Sequence, residues 1–451
     1  MKRSDFRIRD RGIFPSGEWD KGLANDRPFE SIAPQTVLLS ECQGGGSRIR
    51  FLCEPGQRVA KGEKIAEPAN FTGVDLHAPV SGVVKEFIKQ KMPNGELTYC
   101  VIEADEAQPE TADLPYMHEI VQPEAFDRAQ LLAAMKDGGV CGMGGAGFPA
   151  HIKYAAEVDF DTIIVNAMEC EPYLCCDHRM LIEHPYEVLN GLLAMRKACG
   201  ADRMVISTEE NKENAAELLR KIIAENGLEI EVAVREDKYP QGSEKQLIKQ
   251  VTGREIPSGK LPADVNVVVS NVHTARALAD MLYAGEPSMT RGITVTGLVN
   301  RPGNYLVPIG TPFTALIAAA GGLKEEDVRI VLGGPMTGSL LAMGDEADRL
   351  PGGVTKTSGG LIAIKDRGLR ESPCIRCGSC ASACPMGLTP YKINAAYLHG
   401  DLPLCEQLLA TECIACGSCS FICPARRELT QTSIRARDEV RAMIRERSAK
   451  K

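Results

Sequence analysis

Near its C-terminus the chain reads Cys374-Ile375-Arg376-Cys377-Gly378-Ser379-Cys380-Ala381-Ser382-Ala383-Cys384-Pro385, and the same spacing returns in Cys413-Ile414-Ala415-Cys416-Gly417-Ser418-Cys419-Ser420-Phe421-Ile422-Cys423-Pro424. This spacing is typical of proteins that hold two [4Fe–4S] clusters. Three cysteines of a run bind one cubane, and the fourth starts a helix that crosses to the other cluster. The runs therefore predict two ligand sets: Cys374, Cys377, Cys380 with Cys423, and Cys413, Cys416, Cys419 with Cys384.

Zinc sites and disulfides are the alternative interpretations of these cysteines. Zinc motifs bring cysteines in pairs, whereas each run here is a triplet plus one with a trailing proline. The total of 17 cysteines is odd, and the chain's first six residues lack the apolar stretch of a secretory signal. We therefore expect a reduced, cytoplasmic, metal-binding protein. For isolated cysteines such as Cys42, Cys175, Cys176 and Cys405, we expect buried structural thiols.

Charge and hydropathy narrow the classes of partner. A net charge of −8 argues against a nucleic-acid-binding protein, which needs a basic surface. No apolar run reaches the ~18 residues of a membrane span, so any membrane association is expected to be peripheral. The chain ends in a predicted basic helix near 432–447, followed by Lys450 and Lys451. Its basic face is either solvated or meets anionic lipid or an acidic partner.

A glycine-rich loop, Gly142-Met143-Gly144-Gly145-Ala146-Gly147-Phe148-Pro149, lies in a region that alternates helix and strand, which predicts a parallel sheet covered on both faces. A strand at 161–165 runs into Asn166-Ala167-Met168-Glu169-Cys170-Glu171-Pro172-Tyr173. A later strand ends near Asn271. Ligands of such sheets bind at the carboxyl ends of strands, and glycines let backbone amides approach a phosphate or a flat ring.

These motifs resemble the flavin- and NADH-binding subunit of respiratory complex I. Over about 35–440 the chain is more closely similar to the C subunits of the Rnf ion-translocating ferredoxin:NAD oxidoreductases. The most specific pieces are the two cysteine runs and the segments 144–149, 169–173 and Gly333-Gly334-Pro335-Met336-Thr337-Gly338.

The resemblance implies roles for individual residues. It implies that FMN is held by Gly142, Gly144, Gly145, Gly147, Lys153, Asn166, Tyr239, Gly242, Glu244, Asn271 and Val272. It also implies that Phe148 stacks on the nicotinamide side and that Glu169 and Glu171 act at the reaction site; a structural role in capping backbone is the alternative for both glutamates. Met168, Ser243 and Ser270 depart from the complex I pattern, which uses Asp, Glu and Asn at these positions.

The resemblance implies a multidomain α/β and β fold. The expected units are an N-terminal extension (1–34), a lipoyl/barrel-sandwich-like β-domain without a modified lysine (35–126), an α/β FMN- and NADH-binding domain (127–288), a soluble-ligand-binding β-grasp domain (289–366), a two-cluster ferredoxin-like α-helical domain (367–430) and the basic helix (431–451).

The implied function is electron transfer between two [4Fe–4S] clusters, FMN and NAD(H). The implied setting is a peripheral subunit on the cytoplasmic side of a bacterial membrane, in a translocase complex that moves Na⁺ or H⁺. Its expected partners are the other subunits and, indirectly, ferredoxin, with no nucleic acid. Two alternatives remain open: a cobalamin reductase of a microcompartment, and an iron–sulfur wiring or docking subunit without flavin.

Overall fold

The computed structural model describes residues 10–15, 21–44, 46–93, 95–110, 112–342, 350–366, 368 and 370–449. The strands in these ranges form four sheets. In chain order they are β1 (Phe29–Ser31), β2 (Thr36–Ser40), β3 (Ile49–Phe51), β4 (Arg58–Val59), β5 (Lys64–Pro68), β6 (Leu76–His77), β7 (Gly82–Met92), β8 (Gly95–Ala104), β9 (Thr162–Asn166), β10 (Arg203–Glu209), β11 (Ile230–Arg235), β12 (Val267–Asn271), β13 (Thr290–Gly297), β14 (Gly303–Pro308), β15 (Val328–Leu332), β16 (Ser339–Leu341) and β17 (Gly360–Lys365).

Helices cover the sheets and build the C-terminal domain. They are α1 (Arg128–Asp137), α2 (Ala150–Ala155), α3 (Cys176–Glu183), α4 (Pro185–Cys199), α5 (Glu213–Glu225), α6 (Glu244–Thr252), α7 (Val272–Ala279), α8 (Phe313–Ala319), α9 (Ser379–Ala383), α10 (Pro390–Leu398), α11 (Leu402–Gln407), α12 (Ser418–Phe421) and α13 (Leu429–Ala449). Short 3-10 turns lie at Lys21–Leu23, Pro115–Met117, Pro123–Ala125, Glu210–Lys212, Pro262–Val265 and Ala410–Glu412, and a π-helical turn at Asp280–Ala284.

The first two sheets pack as a small β-sandwich. One has the strand order β2-β8-β7-β4 and the other β3-β5-β6. Alternating apolar side chains such as Val37, Leu39, Ile65 and Ile102 point between them and are fully buried, as expected for sheets with one solvated face. The predicted strands at 37–39, 49–51, 64–66 and 82–84 all form.

The α/β region holds a parallel sheet of order β11-β10-β9-β12. The predicted alternation of helix and strand is confirmed, with ends displaced by at most four residues. Helices α2 and α3 were not predicted. The first turn of α3 lacks an N-capping side chain of its own, because the cap comes from Glu169, so no local start signal precedes it.

The third region is a six-stranded sheet of order β1-β14-β13-β17-β15-β16, with α8 packed on one face. Its edge strand β1 comes from the segment predicted as an N-terminal extension, and Phe29 pairs in parallel register with Asn304. The N-terminal segment is thus built into the sheet. A three-residue edge strand is too short to give a sequence signal, and only tertiary pairing stabilises it.

The cysteine-rich region is helical and carries the C-terminal helix α13 along its side. Ala436 and Val440 are fully buried, and Met443 and Ile444 pack on the same core. The apolar face of the predicted helix therefore packs against its own domain. Lys450 and Lys451 lie outside the described residues. Among the described helices, none is both long and apolar enough to cross a membrane.

One buried lysine ties these regions together. The Nζ of Lys356, between β16 and β17, donates to the carbonyl oxygens of Asp75 (2.8 Å) and Gly139 (2.6 Å). Its backbone amide donates to Oε1 of Gln43 at 3.2 Å. The side chain is fully buried. Among the described side chains, its ammonium is the one that donates to these two carbonyl oxygens. The contact fixes the sandwich against the α/β sheet.

Lys356 predicts a pH-dependent stability. Burial lowers the pKa of its ammonium from 10.5 to about 8. The unfolded chain therefore binds this proton more tightly than the folded chain, and the folded state carries a penalty at neutral pH that disappears as the pH rises from about 8 to about 10.5. The full penalty is at most about 3 kcal/mol.

The melting temperature of the wild type, measured relative to that of Lys356→Met, should therefore rise between about pH 7 and about pH 9.5. Lys221→Met, at an exposed position of α5, is the matched control and should keep a constant offset from the wild type. A constant difference between the wild type and Lys356→Met over this range would show that the lysine stays charged when folded at both pH values.

Candidate functional site

The glycine-rich loop forms a tight turn between α1 and α2. The amide of Gly142 donates to the carbonyl of Phe148 (2.9 Å), and that of Gly147 donates to the carbonyl of Gly142 (3.2 Å). A β-carbon on Gly144 would lie 2.6 Å from Nδ2 of Asn271, so only glycine fits there. A β-carbon on Gly145 would meet no described atom within 4 Å. The loop thus leaves open space in front of Gly145.

Two of the predicted strand-end amides lie side by side. Asn166 ends β9 and Asn271 ends β12, and the parallel register pairs them directly. The Nδ2 of Asn166 donates to the carbonyl of Gly242 at 2.9 Å, which joins the sheet edge to the turn before α6. The carboxyl ends of the strands therefore face the glycine-rich loop, as predicted from the alternation.

Two clefts meet at this loop. The first has a volume of about 670 Å³ and lies among the sandwich, the six-stranded sheet and the cysteine-rich domain. The second has a volume of about 600 Å³ and lies beside α2 and β12. Both are lined by Gly144, Gly145, Asn166, Gly242 and Asn271.

The remaining predicted residues divide between the two clefts. Glu169, Glu171 and Tyr239 line the first, whereas Gly142, Phe148, Lys153 and Glu244 line the second. Of the predicted flavin-site residues, all of which are described, only Gly147 and Val272 line neither cleft. Val272 is buried in the core of the α/β domain.

The second cleft combines an exposed aromatic ring with a cation. Phe148 is 40% exposed, which leaves its ring available for stacking. Lys153 donates to the carbonyl of Val269 at 2.7 Å, and its Nζ lies 3.4 Å from Oε1 of Glu244. The ammonium is held at the wall by these two contacts, where it can also meet an anionic group.

Glu169 acts on the protein itself. Its carboxylate accepts hydrogen bonds from the amides of Asp177 (3.0 Å) and His178 (3.2 Å), in the first turn of α3. Burial and the nearby Asp177 raise the pKa of Glu169. The side chain is 7% exposed. These contacts are those of a helix cap, the structural alternative considered for this residue.

Glu171 holds a second glycine-rich loop. Its Oε2 accepts from the amide of Met336 at 3.1 Å, and its Oε1 accepts a hydrogen bond from the hydroxyl of Thr337. A β-carbon on Gly334 would collide with this carboxylate, so the loop requires glycine there. Burial raises the pKa of Glu171. The motif 333–338 is therefore bound to the strand end of β9.

The eight cysteines of the two runs gather into two groups. One small cavity is lined by Cys374, Cys377, Cys380 and Cys423, and another by Cys384, Cys413, Cys416 and Cys419. The structure thus brings the fourth cysteine of each run to the other run. Neither fourth cysteine starts a helix, which was the prediction: Cys384 directly follows α9, and Cys423 comes shortly after α12.

The second group adjoins the first cleft. The hydroxyl of Tyr239 donates to the carbonyl of Cys416 at 2.5 Å. Cys416 and Ile414 line that cleft together with Gly144 and Gly145. The glycine-rich loop and one cysteine group therefore face the same space.

Comparison with known proteins matches three regions of the chain to family models. Family models match at residues 10–107 (RnfC barrel sandwich hybrid domain), 135–280 (Nuo51 FMN-binding domain) and 293–339 (SLBB domain). The C subunit of the ion-translocating oxidoreductase complex of Rhodobacter capsulatus is 35% identical over 407 residues, covering 88% of this chain and 76% of the relative.

This chain belongs to the family of C subunits of the ion-translocating oxidoreductase complexes. Two further members of the family are similar. The C subunit of the proton-translocating ferredoxin:NAD(+) oxidoreductase complex of Clostridium ljungdahlii is 35% identical, covering 85% of this chain and 83% of the relative. Its Na(+)-translocating counterpart from Acetobacterium woodii is 36% identical, covering 80% and 81%.

The family resemblance drawn from the sequence is thus confirmed, as is a multidomain α/β and β chain with FMN-binding and SLBB-type domains. A solved NAD⁺-reducing [NiFe]-hydrogenase in the air-oxidised state is also similar, with a TM-score of 0.49 and 22% identity, covering 63% of this chain and 55% of that one.

Sequence analysis missed three charged residues at the site. Arg291 is 2% exposed and lines the first cleft, and its Nη1 has no hydrogen-bond partner among the described residues. Asp177 accepts a hydrogen bond from Nδ2 of Asn271 at 2.6 Å. Lys21 binds the carbonyls of the loop after β9. Arg291 had one available signal, a lone cation at the start of an otherwise uncharged strand.

Glu169→Ala should lower the free energy of unfolding of this RnfC-family protein by about 1–2 kcal/mol, because the first turn of α3 loses its cap. Thermal melting of the variant against the wild type measures this. Glu217→Ala, at an exposed position of α5, removes a carboxylate without removing a cap and should melt like the wild type. Unchanged melting of the Glu169 variant would contradict the capping role.

Proposed function

We propose that this chain carries electrons between two [4Fe–4S] clusters, a bound FMN and NAD(H), as a peripheral subunit on the cytoplasmic side of a bacterial membrane complex. One observation carries the proposal: Cys416 and the glycine-rich loop line one cleft. A one-electron carrier and a two-electron carrier are useful together only when they are close. The shared cleft supports this arrangement.

The cysteine groups suit iron–sulfur clusters. Each group offers four thiols around one small cavity, the number that a [4Fe–4S] cluster requires. The two runs also repeat the same backbone shape: φ is 57° at Arg376 and 80° at Gly378, and 59° at Ala415 and 83° at Gly417. Paired left-handed residues turn the chain sharply between ligands, so that three cysteines can converge on one centre.

The glycine-rich loop suits a flavin nucleotide. Gly145 leaves space for a flat ring, and Lys153 supplies positive charge for a phosphate. The side-chain amides of Asn166 and Asn271 stand beside that space at the sheet edge. The match of residues 135–280 to an FMN-binding domain supports FMN rather than another nucleotide. The departures at Met168 and Ser243 leave this arrangement in place, as both line the first cleft without filling it.

The chain's own residues would orient the reactants and exclude water. A flavin held here would supply the chemistry that links a two-electron hydride exchange with NAD(H) to one-electron exchange with a cluster. Phe148 presents a ring for the nicotinamide side, and Gly145 permits close approach of the backbone. The carboxylate of Glu171 accepts two hydrogen bonds from residues 336–337. The carboxylate of Glu169 accepts two from the first turn of α3. We therefore place Glu169 and Glu171 as positioning residues.

The two cysteine groups differ in exposure, which suggests an order. Cys374 and Cys377 are exposed, whereas Cys384 and Cys419 are buried, and Cys416 reaches the cleft. The group of Cys413 would thus exchange electrons with the flavin. The group of Cys374 would exchange them with a carrier outside the chain, for which ferredoxin is the indirect source in relatives named ferredoxin:NAD(+) oxidoreductases.

Membership in the RnfC family favours this function over a microcompartment cobalamin reductase. A wiring subunit without flavin is disfavoured by the open space at Gly145 and by the FMN-domain match. The complex, rather than this chain, would move Na⁺ or H⁺, since the described residues include no helix able to cross a membrane.

Exchange of the fourth ligand predicts a crossed pattern of cluster loss. The wild type should hold about eight iron atoms per chain. Cys384→Ala should remove the same EPR signal as Cys416→Ala, and Cys423→Ala the same signal as Cys377→Ala, because each fourth cysteine lies with the other run. If Cys384→Ala instead matches Cys377→Ala, each run holds its own cluster and the crossed assignment is wrong.

Gly145→Val tests the flavin site without straining the fold. The new side chain would meet no described atom within 4 Å, so the protein should fold, while the branched side chain occupies ligand space. FMN content and NADH-dependent dye reduction should each fall by about tenfold or more, equivalent to about 1.4 kcal/mol or more of lost binding.

Ala224→Val, at an exposed position of α5, adds the same side chain away from both clefts and should keep its flavin. Cluster content should stay at the wild-type value in both variants. Full flavin binding by Gly145→Val would place FMN elsewhere.

A further inference from the structure

A third cleft, which shares Ile414 with the first cleft and Leu261 with the second, lies between helix α13 and the α/β domain and has a volume of about 570 Å³. We call it the basic cleft. Its cations come from two regions of the chain, and they are Lys245, Lys260, Arg437, Arg441 and Arg445. The chain as a whole has a net charge of −8. A concentration of five cations in one cleft is therefore a local exception that calls for a physical explanation.

Neutralisation within the chain is incomplete. Lys245 lies 3.4 Å from Glu412, Lys260 lies 3.0 Å from Asp264, and Arg437 lies 2.8 Å from Asp438.

Arg441 uses its Nη2 to donate to the carbonyl of Thr411 at 2.9 Å. No described carboxylate is within ion-pair distance of Arg441 or Arg445. Five cations against three carboxylates leave two positive charges facing solvent in a concave site, where low-dielectric walls strengthen their field.

The basic cleft also offers apolar contact. Leu261 is 67% exposed, and it lines the cleft together with Ile414 and Ile444. A lipid headgroup or a free phosphate would use the cations and leave Leu261 in water. A protein segment with carboxylates next to an apolar side chain would satisfy both kinds of surface. The chemistry of the cleft therefore fits an acidic peptide segment better than a small anion.

We propose that the basic cleft is the docking site for an acidic segment of another subunit of the complex. The proposal rests on family membership and not on the flavin assignment, because relatives are named as subunits of complexes. The cleft spans the α/β domain and the cysteine-rich domain and includes Cys413. A bound acidic segment would bridge Lys245 and Lys260 to the arginines of α13, and so fix the two domains against each other next to a cluster ligand.

Carbodiimide cross-linking of the purified whole complex tests this proposal, because the reagent joins a lysine amine only to a carboxylate in contact with it. Mass spectrometry should find Lys260, which is 57% exposed, joined to an Asp or Glu of one other subunit. In the double variant R441E/R445E this cross-link should fall about tenfold, and the protein should leave the complex at lower salt.

Arg435→Glu is the matched control, since Arg435 is an exposed arginine of the same helix that does not line the basic cleft. It should cross-link and resist salt like the wild type. Iron content and thermal melting verify that each variant is folded. If R441E/R445E does not fold, Arg445→Glu alone, at an exposed position, applies the same test.

Several results would overturn the proposal. One is an absence of intersubunit cross-links at Lys260 while other lysines form them. Another is equal salt resistance of R441E/R445E and the wild type. Weaker binding of R441E/R445E to phosphatidylglycerol vesicles with unchanged retention in the complex would assign the cleft to lipid. A raised KM for NADH in an intact complex would assign it to the dinucleotide phosphates.

Discussion

The site depends on the hydrogen bonds between the ammonium of Lys21 and the loop that follows β9. This ammonium donates to the carbonyl oxygens of Glu171 (3.0 Å), Leu174 (2.9 Å) and Glu169. Burial alone would lower the pKa of Lys21. The carboxylates of Glu209 and Glu169 outweigh this effect and hold the pKa above its ordinary value. A permanently charged group thus binds three carbonyls of one loop, which could not otherwise be buried without large cost.

That loop connects the strand edge to its surroundings in two directions. Through Glu169 it caps α3, whose residue Asp177 in turn accepts a hydrogen bond from Asn271. Through Glu171 it holds the loop at 333–338 of the β-grasp sheet. Of the two carboxylates most readily taken for reaction groups, Glu169 thus caps a helix of its own domain and Glu171 joins two domains. Around the glycine-rich loop, the cleft walls present glycines, the amides of Asn166 and Asn271 and the ring of Phe148, which suit binding of a flat ring.

Sequence reasoning succeeded where the signal is local. The parallel sheet follows from apolar runs that alternate with helical periodicity, and the two cysteine groups follow from spacing that covalent geometry restricts. It missed Lys21, Lys356 and Arg291. The carbonyl oxygens that accept hydrogen bonds from these buried cations are distant in sequence, so no local pattern marks the cations. The resemblance also names Val272 in the flavin site, and the side chain of this residue packs in the core of the α/β domain.

The two cysteine runs also show that a local motif does not predict its surroundings in the fold. Their cysteine spacing and the positions of their left-handed residues are the same, so the motif alone does not distinguish them. Their surroundings differ. Arg437 donates to the carbonyl of Cys413 at 3.2 Å, and Cys384 and Cys419 are buried, whereas Cys374 and Cys377 face solvent. Exposure and nearby charge both set the reduction potential of a cluster. In the proposed function, two motifs of the same spacing would therefore hold electronically distinct clusters.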